Sequence, residues 1–179
     1  MSKGFLQGRL CVLRRYRVGD AGAICAVADD FMVARWMTRA FPHPYTRRDA
    51  ERWIAIAIGN SRERYFAIEV DGTLAGGIGF EPYSDERGGT AAFGYWLGRA
   101  FWRRGVATEA ARMLADYALE SGQLRRLEAS VFAENRASAR VLEKCGFTRE
   151  GRLHGFYLDR DGKVCDALLF ARLSSYSVS

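Results

Sequence analysis

The sequence predicts a single α+β domain, and three observations carry that prediction. Strand-like alternation and helix-like spacing succeed one another along the chain, and neither takes over a long stretch. Asp71-Gly72 joins two alternating runs and is a strong signal for a tight hairpin. A third alternating run, Ala91-Ala92-Phe93-Gly94-Tyr95-Trp96-Leu97, passes through a basic glycine turn directly into a helical pattern. At 179 residues the chain fits one domain, taken as residues 1–179, and is long enough to bury a substantial core.

The elements follow in order. From Arg9 to Arg15, Leu10 and Val12 share one parity and Cys11 and Leu13 the other, which predicts a mostly buried strand. A helix begins after Gly19-Asp20, with Asp20 as N-cap and Ile24, Val27 and Ala28 on its apolar stripe. A second helical piece spans Met32 to Met37 and is interrupted by Pro42-His43-Pro44. Thr46 caps a third helix, with Asp49 closing a capping box and Ala50, Trp53, Ile54, Ala57 and Ile58 at helical spacing. Strands are expected from Tyr65 to Val70, Thr73 to Glu81 and Thr90 to Leu97. The helix after the glycine turn runs from Ala107 to Glu120 and ends at Ser121-Gly122. Its inward face is Ala107, Ala110, Ala111, Leu114, Tyr117 and Ala118. A strand from Leu124 to Phe132 precedes a helix from Asn135 to Lys144, with Val141 and Leu142 inward and Gly146 as C-terminal cap. Strands from Phe147 to Leu153 and Val164 to Leu173, joined near Asp161-Gly162, come last.

Composition narrows the function classes. Hydrophobic residues make up 49% and charged residues 27%, a globular balance rather than a disordered one. No apolar run approaches the ~20 residues of a membrane span. The N-terminus lacks the basic, apolar and small-residue succession of a secretory signal, so a cytoplasmic location is expected. Cys11, Cys25, Cys145 and Cys165 are scattered without a Cys-x-x-Cys pair, and His43 and His154 are the only histidines. Zinc spacing and a disulfide framework are both absent from the pattern, so no metal is expected. A net charge of +6 suits either a nucleic acid or a small polyanion. The arginines are spread as Arg14-Arg15-Arg17, Arg47-Arg48, Arg103-Arg104 and Arg125-Arg126, which argues against nucleic acid. Only Arg103-Arg104 sit in a phosphate context.

That context is Phe101-Trp102-Arg103-Arg104-Gly105-Val106-Ala107-Thr108-Glu109-Ala110. The first amides of a helix lack intrahelical acceptors, and the helix dipole adds partial positive charge there. A glycine lets a phosphate approach the backbone, and flanking arginines add formal charge. The turn is suited to cradling a pyrophosphate.

The turn resembles the acetyl-CoA pyrophosphate loop of the GNAT N-acetyltransferases, Arg/Gln-x-x-Gly-x-Gly/Ala. Tyr95-Trp96-Leu97 followed by Trp102 to Ala110 is similar to the RimJ/RimL-type branch, and Asn135-Arg136-Ala137-Ser138-Ala139-Arg140-Val141-Leu142-Glu143-Lys144-Cys145-Gly146-Phe147 is a second matching block. The resemblance implies the GNAT fold, a mixed, mostly antiparallel sheet flanked by helices, with acetyl-CoA as co-substrate. It implies acetyl transfer to a primary amine, on a peptide N-terminus or a small molecule. It further implies that Arg103, Arg104, Gly105, Val106, Ala107 and Thr108 hold the pyrophosphate, and that the preceding strand splays at a bulge. That opening exposes backbone around Trp96 and Leu97 to the pantetheine arm. Asn135 and Ser138 are implied beside the arm, Asn135 doubling as an N-cap. Dimerisation is common in the family, so a homodimer is an expectation, although no interface is marked in the sequence.

Acetyl transfer needs the cofactor held, the amine deprotonated and the thiolate protonated. Two departures from the family pattern bear on this. A tyrosine acid common in the second block is replaced by Leu142, and a glutamate frequent before Gly-Tyr-Trp is replaced by Ala92. Ser138 is left as the candidate near the leaving sulfur. Glu81 and Glu69 are the candidate carboxylate bases, each also readable as a surface residue. His154, with Tyr157 and Asp166 in the last strands, suits proton transfer near neutrality, though a lone histidine is more often structural. Arg35-Trp36-Met37 and Phe41-Pro42-His43-Pro44-Tyr45 match in position the variable helical region that shapes the acceptor site in the family, and no acidic cluster there speaks for a polyamine. No cysteine has an evident base partner, which disfavours a covalent intermediate. The rival reading is a non-catalytic acyl-CoA-binding sensor of the same fold, motivated by Ala92 and Leu142.

Overall fold

Asp71 and Gly72 both take positive φ, 48° and 77°, as a two-residue hairpin turn requires. They set β3 (Tyr65–Val70) against β4 (Thr73–Pro82). The structure, a computed structural model, describes residues 5–59, 64–120 and 122–175. Around this hairpin an eight-stranded sheet runs β1 (Phe5–Gln7), β2 (Val12–Arg14), β3, β4, β5 (Thr90–Leu97), β6 (Arg126–Phe132), β8 (Val164–Leu173), β7 (Thr148–Leu158). Every neighbouring pair is antiparallel except β5 and β6. These two are joined through the glycine turn and α4 (Val106–Glu120), the crossover that a parallel pair demands.

Helices cover both faces. On one, α4 and α5 (Arg136–Lys144) bury Ala110, Leu114 and Leu142 against Leu127 and Phe170. On the other, α1 (Ala21–Ala28) and α3 (Arg47–Gly59) bury Ile24, Ala50 and Ile54 against Ala67, Leu74 and Trp96. The expected inward face of α4 is observed at Ala110, Ala111, Leu114 and Ala118, with Ala107 and Tyr117 half-buried. In α5, Leu142 is buried and Val141 half-buried. Thr46 closes its capping box with Asp49: Thr46 Oγ1 accepts the Asp49 N–H at 3.3 Å, and the Asp49 carboxylate accepts the Thr46 N–H at 3.0 Å.

Several expectations are corrected. The strand expected from Arg9 to Arg15 is only Val12–Arg14, because Gly8 N–H closes a turn on Cys11 C=O at 2.9 Å. That turn returns the chain to β1, which periodicity misses at three residues long. Asp20 precedes α1 but does not cap it with its side chain: the residue ends a one-turn helix over Val18–Asp20, and its carboxylate accepts from the Arg17 N–H at 2.8 Å and from Arg14 Nη1 at 2.8 Å and Nη2 at 3.0 Å. α2 spans Phe31–Ala34 rather than Met32 to Met37, and Asp30 caps it by accepting from Met32 N–H at 2.7 Å. Ile58 faces outward. β6 begins at Arg126 rather than Leu124. β7 begins one residue later than expected and runs on to Leu158, bending at register shifts between Arg149 and Gly151 and between Leu153 and Tyr157. Ser121 lies outside the described residues, while Gly122 takes the expected positive φ of 72°.

Candidate active site

The basic turn sits where β5 hands the chain to α4. Arg103 and Gly105 take positive φ, 61° and 82°, with Arg104 between them, so the backbone curls its amides toward one side. Glu109 N–H is the first to bond back into the helix, to Gly105 C=O at 3.0 Å. The N–H groups of Val106, Ala107 and Thr108 therefore point out of the helix end. Arg103, Arg104 and Gly105 are exposed, so no side chain covers this rim.

The first turn of α4 is held from behind by groups that sequence reasoning leaves unassigned. The Glu109 carboxylate accepts backbone N–H bonds from Arg9 at 3.0 Å, Leu10 at 2.6 Å and Cys11 at 3.0 Å. The Cys145 thiol donates to Thr108 C=O at 3.2 Å, tying the end of α5 to the same turn. Partial burial alone would raise the Glu109 pKa, but the three backbone donors outweigh it and hold the carboxyl below its ordinary value. Its stabilisation is therefore full above the ordinary carboxylate range and is lost as pH falls through the lowered folded-state value. Glu109→Gln is expected to cost about 1–3 kcal/mol in urea unfolding at pH 7. The difference from wild type should shrink in acid, and a pH-independent difference would show that the charge is not the stabilising feature.

Beyond the turn the sheet opens. β5 pairs with β6 only at Thr90–Ala92 opposite Arg126–Glu128, and the strands then part. The implied bulge is not what opens them, since β5 keeps an unbroken register with β4 from Gly76↔Leu97 to Pro82↔Ala91. Gly98 N–H donates to Ala75 C=O at 2.8 Å and Tyr83 N–H to Thr90 C=O at 3.0 Å. Hydrogen-bonded pairs alternate along an antiparallel ladder, so Gly77↔Trp96 and Gly79↔Gly94 carry the bonds between these strands. Trp96 therefore spends its backbone groups on β4, whereas Phe93, Tyr95 and Leu97 turn theirs into the opening. Leu97 C=O there accepts the Trp102 indole N–H at 2.7 Å.

The start of α5 flanks the opening. Asn135 caps the helix, its Oδ1 accepting from Ser138 N–H at 3.1 Å. Ser138 Oγ lies 2.7 Å from the Tyr95 hydroxyl, which also reaches Ser138 C=O at 3.2 Å. Burial pushes the Tyr95 phenol above its ordinary range, and the bond to Ser138 offsets this only in part. The phenol is thus a proton-bearing group at neutral pH. Nothing in sequence spacing joins residues 95 and 138; the pairing comes from docking α5 beside β5.

On the opposite face lies a cavity of about 700 Å³. It is floored by Ala92 and Gly94 and walled by Phe41, Tyr45, Trp53, Tyr65 and Trp96. Glu81 lines it too, directly across β4–β5 from Ala92, where β5 and β6 begin to part. The Glu81 carboxylate is held by Arg64 Nη1 at 2.8 Å and by the Tyr65 hydroxyl. The structure thus brings Glu81 to the cavity and Ser138 to the cleft behind it. Glu69 instead pairs with Arg14, and His154 stands outside the cavity, 81% exposed, with Nδ1 3.2 Å from Asp166. Asp166 also accepts from the Gly155 N–H and from Arg152, which keep its pKa at about 2. The two buried thiols are poor nucleophiles: burial, with Glu109 adding, pushes Cys11 to about 12, and burial raises Cys145. Among the described residues no cluster of His, Cys, Asp or Glu side chains could hold a metal ion, and no helix is long and apolar enough to cross a membrane.

A cleft between parting parallel strands, with an amide-lined turn at its end, is the arrangement of an acetyltransferase. The family model for the acetyltransferase (GNAT) domain matches residues 10–148, and the chain belongs to that family. Uncharacterized N-acetyltransferase p20 of Bacillus licheniformis is 33% identical over 164 residues, covering 90% of this chain and 91% of its own. RimJ of Mycobacterium smegmatis, solved in complex with CoA-disulfide, superposes with a TM-score of 0.76 at 31% identity, over 94% of this chain and 84% of its own. RimL, a ribosomal L7/L12 alpha-N-protein acetyltransferase solved with coenzyme A, superposes with a TM-score of 0.86 over 97% of this chain and 99% of its own. At 18% identity RimL shows the shared fold, and both structures agree with the RimJ/RimL likeness of the two motif blocks.

Proposed function

We propose that the protein is an acetyl-CoA-dependent N-acetyltransferase that moves the acetyl group to a primary amine by direct attack in a ternary complex. The observation that carries this reading is the parting of β5 from β6 beyond Ala92, with the amide-lined turn following the far end of β5 and the acceptor cavity lying over Ala92 and Gly94 where the parting begins. The amides of Val106, Ala107 and Thr108, with Arg103 and Arg104, would hold the pyrophosphate. Backbone groups of Tyr95 and Leu97 would run along the pantetheine arm, with Asn135 and Ser138 on its far side.

In the reaction the amine nitrogen attacks the thioester carbonyl carbon, the C–N bond forms and the C–S bond breaks. One proton leaves the nitrogen, and the departing thiolate takes up another. Glu81 is the proton acceptor: it faces the cavity at the point where the strands part. Ser138 is the donor to sulfur, and Tyr95 supports it by donating to Oγ, which frees the serine hydrogen for the thiolate. These two groups also speak against the sensor reading, because a carboxylate and a phenol stand close to the positions that Ala92 and Leu142 leave without them.

Calorimetric titration with acetyl-CoA and an assay of amine-dependent CoA release test the reading together. Tyr95→Phe keeps the ring and its packing and is expected to lower kcat about tenfold with acetyl-CoA affinity unchanged. Ser138→Ala should do at least as much, and the double variant should cost little more than Ser138→Ala alone, because the pair acts as one unit. Fully additive losses would separate the two residues.

A further inference from the structure

The cavity next to Glu81 carries information about the acceptor. Its walls are two groups of rings. Phe41 packs on Trp96 at 5.5 Å between centroids and on Tyr45 at 4.9 Å, and Trp53 packs on Tyr65 at 5.1 Å. A side chain at Gly77 would strike the Tyr16 hydroxyl and the Trp96 indole, and one at Gly79 would strike the Tyr65 ring, so the rings lie directly on those glycines. Gly94 differs, since nothing lies within 4 Å of a Cβ built there. The gap between the ring walls is therefore open down to the backbone at Gly94, beside Ala92 and Glu81.

The charges around this gap are mostly committed. Asp49 is tied into the Thr46 cap, and Arg39 donates to Asp159 C=O at 3.1 Å. Arg160 pins the segment that carries Phe41, donating to Ala34 C=O at 2.8 Å and to Phe41 C=O at 2.6 Å. Two carboxylates and the cation Arg52 line the cavity, and of the carboxylates Glu81, gripped by Arg64 and Tyr65, is the one opposite Ala92 beside the aromatic lining. A polyamine needs several carboxylates, and a small hydrophilic amine would leave the rings unfilled. Rings in this arrangement bind flat or bulky apolar groups and also attract an ammonium over their faces. The volume lies within the range of about 300–1,000 Å³ common for small-molecule sites.

We infer that the acceptor is a primary monoamine on an aromatic or bulky apolar group, seated between the two ring walls over Gly94 with its nitrogen toward Glu81. This inference rests on the acetyltransferase reading. The amine could come from a free small molecule or from an aromatic first residue of a peptide, and the chemistry at the cavity is the same for both.

The test measures CoA release with 2-phenylethylamine, phenylalanine and a tripeptide beginning with phenylalanine, against spermidine and glycinamide. At least one aromatic amine should exceed spermidine and glycinamide in kcat/KM by about 30-fold or more. Turnover of the free amines alone would assign a small molecule, and turnover of the peptide alone a chain terminus. Gly94→Val gives a second reading, because valine suits a strand and its Cβ has nothing within 4 Å. It should raise KM for the aromatic amine about tenfold or more while calorimetric acetyl-CoA binding stays unchanged, with Gly94→Ala intermediate. Preferred turnover of spermidine or glycinamide, or an unchanged KM in Gly94→Val, overturns the inference and leaves the acetyltransferase reading standing. Absence of acetyl-CoA binding by the folded wild type overturns both.

Discussion

Gly105→Glu is expected to reduce acetyl-CoA affinity by at least 100-fold while the protein stays folded. Gly105 has φ of 82°, where a residue with a side chain pays about 1–2 kcal/mol. That is small against a typical domain stability of about 5–15 kcal/mol, and the turn is exposed, so it can relax without disturbing the core. Relaxation nonetheless turns the amides of residues 104–108 away from a common focus. A built Cβ also lies 3.2 Å from Leu10 Cδ1, so the neighbouring segment must shift slightly. The new carboxylate then adds repulsion of about 1 kcal/mol at 4 Å in water, rising to about 4 kcal/mol at an effective dielectric near 20. Gly105→Ala carries the strain without the charge and should cost only about 5–30-fold. Calorimetry on the two variants separates the terms. Wild-type affinity in Gly105→Glu, with an unchanged circular dichroism spectrum, would mean that the pyrophosphate is held elsewhere.

How far the sequence discloses such a site depends on whether its parts are local. The turn is legible because a glycine, two arginines and a helix start lie within a few consecutive residues, and their chemistry follows from backbone geometry. The Thr46–Asp49 box and the Asp71-Gly72 hairpin are legible for the same reason. The position of Glu81 opposite Ala92 is set by the register of β4 on β5, and that register is fixed by pairing along the whole strands rather than by either residue. Tyr95 and Ser138 meet across 43 positions of sequence, and Glu109 reaches Arg9 to Cys11 across about a hundred. No periodicity encodes such meetings. The far half of β7 escapes a reading by pattern because much of its length is exposed, which erases the alternation a half-buried strand shows. The Asp20 cap fails because Asp20 is already helical, closing a one-turn helix over Val18–Asp20, and its carboxylate turns back to the Arg17 N–H and to Arg14 rather than forward into α1.

Glu81→Gln is expected to lower kcat by about 10²–10⁴ at pH 7, the usual range for removing a general base. The substitution preserves size and keeps one oxygen for Arg64 or Tyr65, so acetyl-CoA affinity should not move. The pH dependence is the sharper readout. In the wild type the acceptor can enter as an ammonium, drawn by Glu81 and the rings, and lose its proton inside the site. The Glu81 side chain is 49% exposed, so that proton can pass on to water. In the variant only the amine already neutral in solution can react. Its rate should therefore climb about tenfold per pH unit toward the amine pKa, and the deficit against wild type should narrow as pH rises. Tyr65→Phe removes one of the two groups gripping the carboxylate and should change the profile less than Glu81→Gln does. A Glu81→Gln enzyme with unaltered kcat and an unaltered profile would exclude this carboxylate as the base and leave deprotonation to solvent.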